Sequence, residues 1–276
     1  MLVVSLSSIP PRFGKLYQTL DSLKRQEGVS KIELWLPRKY RRFPDYTVDN
    51  FAVPDGVVLR QCDDDLGPAT KILPAAFDYR GSQARILYCD DDKIFPKGWA
   101  KSFLTASKNY DRCAIAAIGN WIDQYEGGVS NIPKYKRARR LRTAFDLSYR
   151  FKKIKRRVQS AIWKKQFVKP TPTRWFKRSG LIDIMEGYGG VLIHPEFFLD
   201  NDARIPDPIW RVDDIWLSGL MAARKVAIVG NHLSPMPISQ EEVTNALSED
   251  SSIPYSRREL ETTAIKYFQV THGVWL

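Results

Sequence analysis

Apolar positions open the chain as a short run, Leu2-Val3-Val4-Ser5-Leu6, closed by Ser7, Ser8 and two prolines. A run of that length bounded by breakers predicts a buried strand. Phe13, Leu16, Leu20 and Leu23 then recur at steps of three and four, which is one face of a helix. Residues 32–37 and 57–62 predict the next strands. The segment 69–79 predicts a short helix entered through Gly67-Pro68, because proline suits a first helical turn. A strand at 85–89, a helix over 97–109 and a strand at 113–119 follow. In the second half, 189–198 predicts a strand turning into a helix. Asp213 caps a further helix whose Trp216, Leu217, Leu220 and Met221 share one side. A terminal helix covers about 255–269. Strands alternating with helices predict an α/β sheet with parallel strands, in which ligands sit beyond the carboxyl ends of the strands.

Composition narrows the class. No apolar run reaches the roughly 20 residues that span a bilayer. The first residues lack the basic leader of a signal peptide and read as a strand. Cys62, Cys89 and Cys113 are odd in number and have no CxxC spacing, so a reducing cytosol is expected, with neither a disulfide framework nor a zinc site. Neither GxxxxGK[ST] nor GxGxxG occurs, which argues against a P-loop or dinucleotide enzyme.

The net charge of +12 is concentrated in one place. Residues 134–178 hold 18 Lys/Arg and one acid, Asp146, whereas the rest of the chain holds 25 Lys/Arg and 30 Asp/Glu. Within that stretch Leu147, Phe151, Ile154, Val158 and Ile162 recur at helical steps among basic residues. This predicts a basic helical insertion whose amphipathic helix lies on an anionic membrane surface, each basic residue adding about 1 kcal/mol. The same pattern also describes a helix that packs its apolar stripe on the domain.

The chemistry concentrates in Ile86-Leu87-Tyr88-Cys89-Asp90-Asp91-Asp92-Lys93, three adjacent carboxylates after an apolar strand. Side chains two apart on extended chain point the same way, so Asp90 and Asp92 can share a hard divalent cation, Mn²⁺ or Mg²⁺. A solvated acidic loop has the same composition. A second acidic pair, Asp213-Asp214, opens the helix predicted after it. Paired aspartates and a basic segment also fit a metal-dependent nucleic-acid-binding protein or nuclease. No helix-turn-helix, zinc-finger or aromatic RNA-binding signature appears, and no nucleic acid is expected.

Taken together, "ILYCDDDKIFP", "RVDDIWLSGLMAARK", "DLGPATKILPA" and the opening "VVSLSSIPPRFGKLYQTLDSLKRQ" resemble, in that family's order, the GT-A-fold nucleotide-sugar glycosyltransferases of bacterial polysaccharide type, with some exostosin-like features. The family's later motif is usually Glu-Asp, and here Asp213 replaces the Glu. The resemblance implies a single GT-A domain over 1–276: a Rossmann-like mixed sheet flanked by helices, with a nucleotide-binding half (1–110) and an acceptor half (111–276).

It also implies roles. Asp90 and Asp92 hold the metal with His232 as a further candidate, His272 being the other histidine considered. Ser7, Arg12, Asp64, Asp65, Lys71, Asp90 and Asp91 contact the nucleotide sugar, expected to be UDP-linked. Asp214 is the general base and Asp213 orients the acceptor. Glu186, Tyr188, Gly189, Gly190 and Trp210 meet a glycan or lipid-linked acceptor, the glycine pair letting backbone approach the ligand. The activity implied is hexosyl transfer, inverting rather than retaining, in cell-surface polysaccharide (lipopolysaccharide or capsule) synthesis. The implied location is cytoplasmic, peripheral on the inner face of the membrane.

Overall fold

The computed structural model describes residues 1–46, 52–163, 169–240 and 254–276. In chain order the first half forms β1 (Leu2–Ser7), α1 (Phe13–Lys24), β2 (Lys31–Pro37), β3 (Val58–Cys62), α2 (Leu73–Asp78), β4 (Arg85–Tyr88), β5 (Lys93–Ile94) and α3 (Trp99–Ser107). Then come β6 (Ala114–Ala116), β7 (Gly119–Asn120), β8 (Arg139–Arg140), α4 (Leu147–Trp163), β9 (Phe176–Arg178), β10 (Gly180–Ile182), β11 (Ile184–Met185) and β12 (Val191–Ile193). The chain finishes with α5 (Asp213–Ala223), β13 (Ile228–Gly230), β14 (Ile238–Ser239) and α6 (Arg257–His272).

Eight strands form one mixed sheet in the order β10-β13-β6-β12-β4-β1-β2-β3, drawing on both halves of the chain. The expected mixed α/β sheet flanked by helices is present. β1 to β4, β6 and β13 run parallel, whereas β12 lies antiparallel between β4 and β6, and β10 antiparallel to β13. Those two antiparallel strands make the sheet mixed, as expected, around a parallel set. The predicted strand over 113–119 divides into β6 and β7, and β7 leaves the sheet to pair with β11. The helix predicted after 189–193 is only a 3-10 turn, Pro195–Phe197.

The alternation along each strand sorts side chains to two cores. Leu2, Val4 and Leu6 of β1, with Leu87 and Cys89, pack on the face covered by α1 and α3. Ile86 and Tyr88 of β4 face α2, α5 and α6 on the other side. The predicted stripe of α1 is seated there through Leu16, Leu20 and Leu23, all buried. On the opposite face, α6 begins with a reciprocal cap in which the Ser256 hydroxyl accepts from the Glu259 N–H and the Glu259 carboxylate accepts from the Ser256 N–H. Its Phe268 lies on Gly219 of α5, where a β-carbon would stand 2.4 Å from the ring. That close approach brings the first turn of α6, and Arg257 with it, over the end of the sheet.

Among the described residues no helix is long and apolar enough to cross a membrane.

Candidate functional site

Because β1 and β4 are neighbours and parallel, with Ser5 beside Tyr88, their carboxyl ends stop at the same edge. Ser7-Ser8 and Asp90–Asp92 therefore meet at one place. The 3-10 turn Gly67–Lys71 follows β3 on that edge, and Ser5 Oγ donates to the Lys71 carbonyl at 2.7 Å. From the far half of the chain, the first turn of α5 supplies Asp213 and Asp214. Together they line a cleft of about 330 Å³.

Lys71 is the centre of the cleft's ionic end. Its side chain is only 6% exposed, and its ammonium lies 2.6 Å from Asp90 Oδ1 and 2.9 Å from Asp213 Oδ2. Two carboxylates more than a hundred residues apart in the chain, Asp90 and Asp213, thus converge on one buried cation. Burial alone would discharge this lysine, but Asp213, Asp90 and Asp214 outweigh it and hold its pKa well above the usual value. Burial likewise opposes the charge of Asp90, yet Lys71 keeps that carboxyl below the usual range. Asp214 goes the other way. Burial, and then the charge of Asp213, push its carboxyl well above the usual range, and Lys71 offsets only part of this. Its Oδ1 accepts from the Gly187 N–H at 2.9 Å, and Arg257 Nη2 lies 3.9 Å from Oδ2.

Asp91 and Asp92 are held by other cations. Asp91 is buried, accepting from the Ser8 hydroxyl and, at 2.8 Å, from Arg12 Nη1. Asp92 Oδ1 pairs with Lys93 at 2.8 Å, and its Oδ2 lies 3.8 Å from Arg12. Thr19 Oγ1 lies 2.7 Å from the carbonyls of both Asp91 and Lys93, tying α1 to the acidic loop. Asp90 differs: among the described residues only its Oδ1 has a hydrogen-bond or ion-pair partner, Lys71, and the side chain remains 31% exposed in the cleft. The donors on offer are all oxygens, which suits a hard cation. Among the described residues no group of three side chains could ligate a metal. Of the acidic triplet, Asp90 offers the open oxygen for such a cation, whereas Asp92 is engaged by Lys93 and lies near Arg12.

Away from the ions the cleft is walled by Ile9, Pro37, Tyr40, Phe43 and Trp210. Tyr40 is buried, donates to the Ser8 carbonyl at 3.0 Å and meets Phe43 edge-on. Trp210 has two guanidinium groups over its ring, with Arg41 at 5.2 Å and Arg211 at 5.0 Å from the centroid. Its ring fixes Gly67, whose φ is +60° and whose missing β-carbon would stand 2.3 Å from Trp210 Cε3. Gly67→Ala is expected to cost about 1–3 kcal/mol, from left-handed strain plus overpacking. Urea unfolding measures the cost, and an unchanged midpoint would show that Trp210 moves aside freely.

Of the residues singled out from sequence, Ser7, Arg12, Asp65, Lys71, Asp90, Asp91, Asp92, Glu186, Tyr188, Trp210, Asp213 and Asp214 line this cleft. Five do not, and one that does, Asp65, is occupied. Asp64 is exposed outside the cleft. Both carboxylate oxygens of Asp65 serve backbone N–H groups, of Arg41 and Gly67, so it braces the turn. Gly189 and Gly190 are approached by protein rather than left open for a ligand. A β-carbon on Gly190, where φ is +95°, would stand 2.4 Å from the Trp99 ring, and the Gly189 carbonyl accepts from Trp99 Nε1. His232 is absent from the lining; its Nδ1 pairs with Ser179 Oγ at 2.7 Å. His272 stacks on Phe268.

The sequence reading missed Ser8, Tyr40, Phe43, Arg211 and Arg257, all in the lining. Tyr40 and Phe43 carried a usable signal, because they follow the carboxyl end of a strand predicted next to the first. Arg257 carried none beyond opening a terminal helix.

No protein-family model matches the chain, and no curated protein matches it in sequence. Among solved structures it is similar to residues 1–349 of Staphylococcus aureus TarS, with a TM-score of 0.42 and 10% identity over 87% of this chain and 60% of that one. The chain thus spans less than two thirds of the structure it matches, and likeness at that level assigns no function.

Proposed function

We propose that the protein is a glycosyltransferase that moves a sugar from a nucleoside-diphosphate sugar, UDP-linked, to a hydroxyl of a glycan or lipid-linked acceptor. The observation that carries this reading is the convergence of Asp90 and Asp213 on the buried Lys71 in a cleft with an aromatic wall. An anionic diphosphate needs fixed positive charge, and Lys71, Arg12 and Arg257 supply it at one end. A flat base needs an apolar surface, which Tyr40 and Phe43 supply at the other.

In this reading Asp90 and Asp92 would hold Mg²⁺ or Mn²⁺, which when bound neutralises charge growing on the departing diphosphate. Lys71 and Arg12 do the same work from the protein side, already desolvated and in position before the reaction. Glu186 is the acceptor-side carboxyl. Asn120 donates to it and in turn accepts from Arg140, a relay that fixes its direction. Asp214 takes the proton of the attacking hydroxyl. A carboxyl raised by burial is the stronger base, and a single such base serves an inverting displacement. Asp213, tied to Lys71, is a positioning residue.

A thermal-shift screen of nucleoside diphosphates and their sugars, with Mn²⁺ and with EDTA, tests the proposal. UDP at 100 times its dissociation constant is expected to stabilise the chain by about 2.7 kcal/mol. The stabilisation should fall sharply in EDTA. No stabilisation by any nucleoside diphosphate, with or without metal, would remove the proposal. An equal shift in EDTA would remove the metal from it.

A further inference from the structure

We propose that α4 is an interfacial helix that docks the enzyme on an anionic lipid surface. Among the described residues its apolar stripe is left exposed. Leu147, Phe151, Ile154, Val158 and Ile162 are between 52% and 76% exposed, and Tyr149 alone in this helix is buried. At 3.6 residues per turn those five side chains fall within an arc of about 80°. Arg150 and Arg157 flank the arc on one side and Lys155 on the other, with Lys152, Lys153 and Arg156 behind, and the helix contains no acid. A surface helix ordinarily buries such a stripe against its own domain. Here the alternative left open by the sequence, a stripe packed on the body, is not what the structure has.

The helix is fastened at its root, and further along Arg156 donates to the Lys169 carbonyl at 3.4 Å. Asp146 Oδ1 accepts from the Tyr149 N–H at 2.9 Å, capping the first turn. Its other oxygen accepts from the Thr173 N–H and hydroxyl at 2.9 and 2.8 Å. Two residues on, Trp175 stacks under Arg140, 4.4 Å from ring centroid to guanidinium, and donates to the Gly119 carbonyl. Arg140 is the residue that reaches Glu186 through Asn120. Helix root and acceptor wall are thus joined by one short stretch of chain, so docking and acceptor recognition share a support.

Charge selects the occupant. A second copy of α4 laid stripe against stripe would bring two sets of arginines and lysines together with no acid to offset them. RNA would satisfy the basic flanks but leave five large apolar side chains in water. An anionic bilayer satisfies both, apolar stripe in the acyl boundary and basic flanks at the headgroups.

The test is co-sedimentation of the full chain with phosphatidylcholine vesicles, with and without phosphatidylglycerol, beside the variant Phe151→Glu/Val158→Glu. Both positions are exposed, so the fold is expected to persist, and circular dichroism checks it. The expected result is pelleting with anionic vesicles, little with neutral ones, and at least tenfold weaker binding by the variant. Lys152→Gln/Lys155→Gln should also weaken binding, and 0.5 M salt should do the same to the parent chain. Equal pelleting of parent and Phe151→Glu/Val158→Glu would overturn the proposal. So would a dimer, by light scattering without lipid, that this variant dissolves, or retention of a short RNA with no binding to vesicles.

Discussion

Replacing Lys71 by methionine is expected to lower stability at pH 7 by roughly 3–5 kcal/mol, the cost of removing one partner from a buried ion pair. Asp90 and Asp213 would be left beside an apolar chain, 2.6 and 2.9 Å from where the ammonium stood. The pH dependence separates this from a packing defect. The lysine's pKa is raised on folding, so its contribution is complete below its ordinary value of 10.5 and is lost as pH rises through the raised one. Asp90 is depressed, so its contribution is present above the ordinary 3.8 and disappears as pH falls through the depressed value. In the methionine variant Asp90 keeps the burial that opposes its charge but loses the cation that held it down, so the deficit should shrink as pH drops toward 4. Adding Asp213→Asn should recover part of the loss, which a double-mutant cycle in urea measures. A deficit that ignores pH and the second substitution would mean that Lys71 acts as filler.

Asp214→Asn has the largest expected effect on rate. It should lower kcat by about 10²–10⁴, the usual contribution of a general base, while leaving donor affinity within roughly threefold. The asparagine carbonyl can still accept from Gly187, so the loop that packs on Lys71 is retained. The parent enzyme should lose kcat as pH falls, with its acid limb displaced above the ordinary aspartate value of 3.8 because burial and Asp213 raise Asp214. The variant should lose that limb. Initial rates of nucleoside-diphosphate release across pH check both. Full activity in Asp214→Asn would reassign the base, with Glu186, also raised by burial, the next carboxyl to test.

What the sequence made legible was whatever local periodicity or strand-end position encodes. The alternation in β1 and the stripe of α1 need only near neighbours, and both could be read. Asp90–Asp92 could be placed at the sheet edge because a strand's end is a local feature. The direction of β12 could not, since Val191-Leu192-Ile193 reads the same in either sense and its partners lie a hundred residues back. Gly189 and Gly190 looked like openings for a ligand because their neighbours in space, Ile118 and Trp99, are invisible from their own stretch. Arg257 reaches the cleft only because Phe268, three turns further along α6, settles on Gly219. The stripe of α4 was plain in the sequence, but whether a protein surface covers it depends on the whole fold.

The most direct measurement is a crystal structure of the chain grown with UDP and Mn²⁺. The account predicts the diphosphate beside Lys71 and Arg12, the ion on Asp90, and the uracil along Tyr40 and Phe43. A structure showing UDP bound elsewhere while the Lys71 cleft holds only solvent would contradict it.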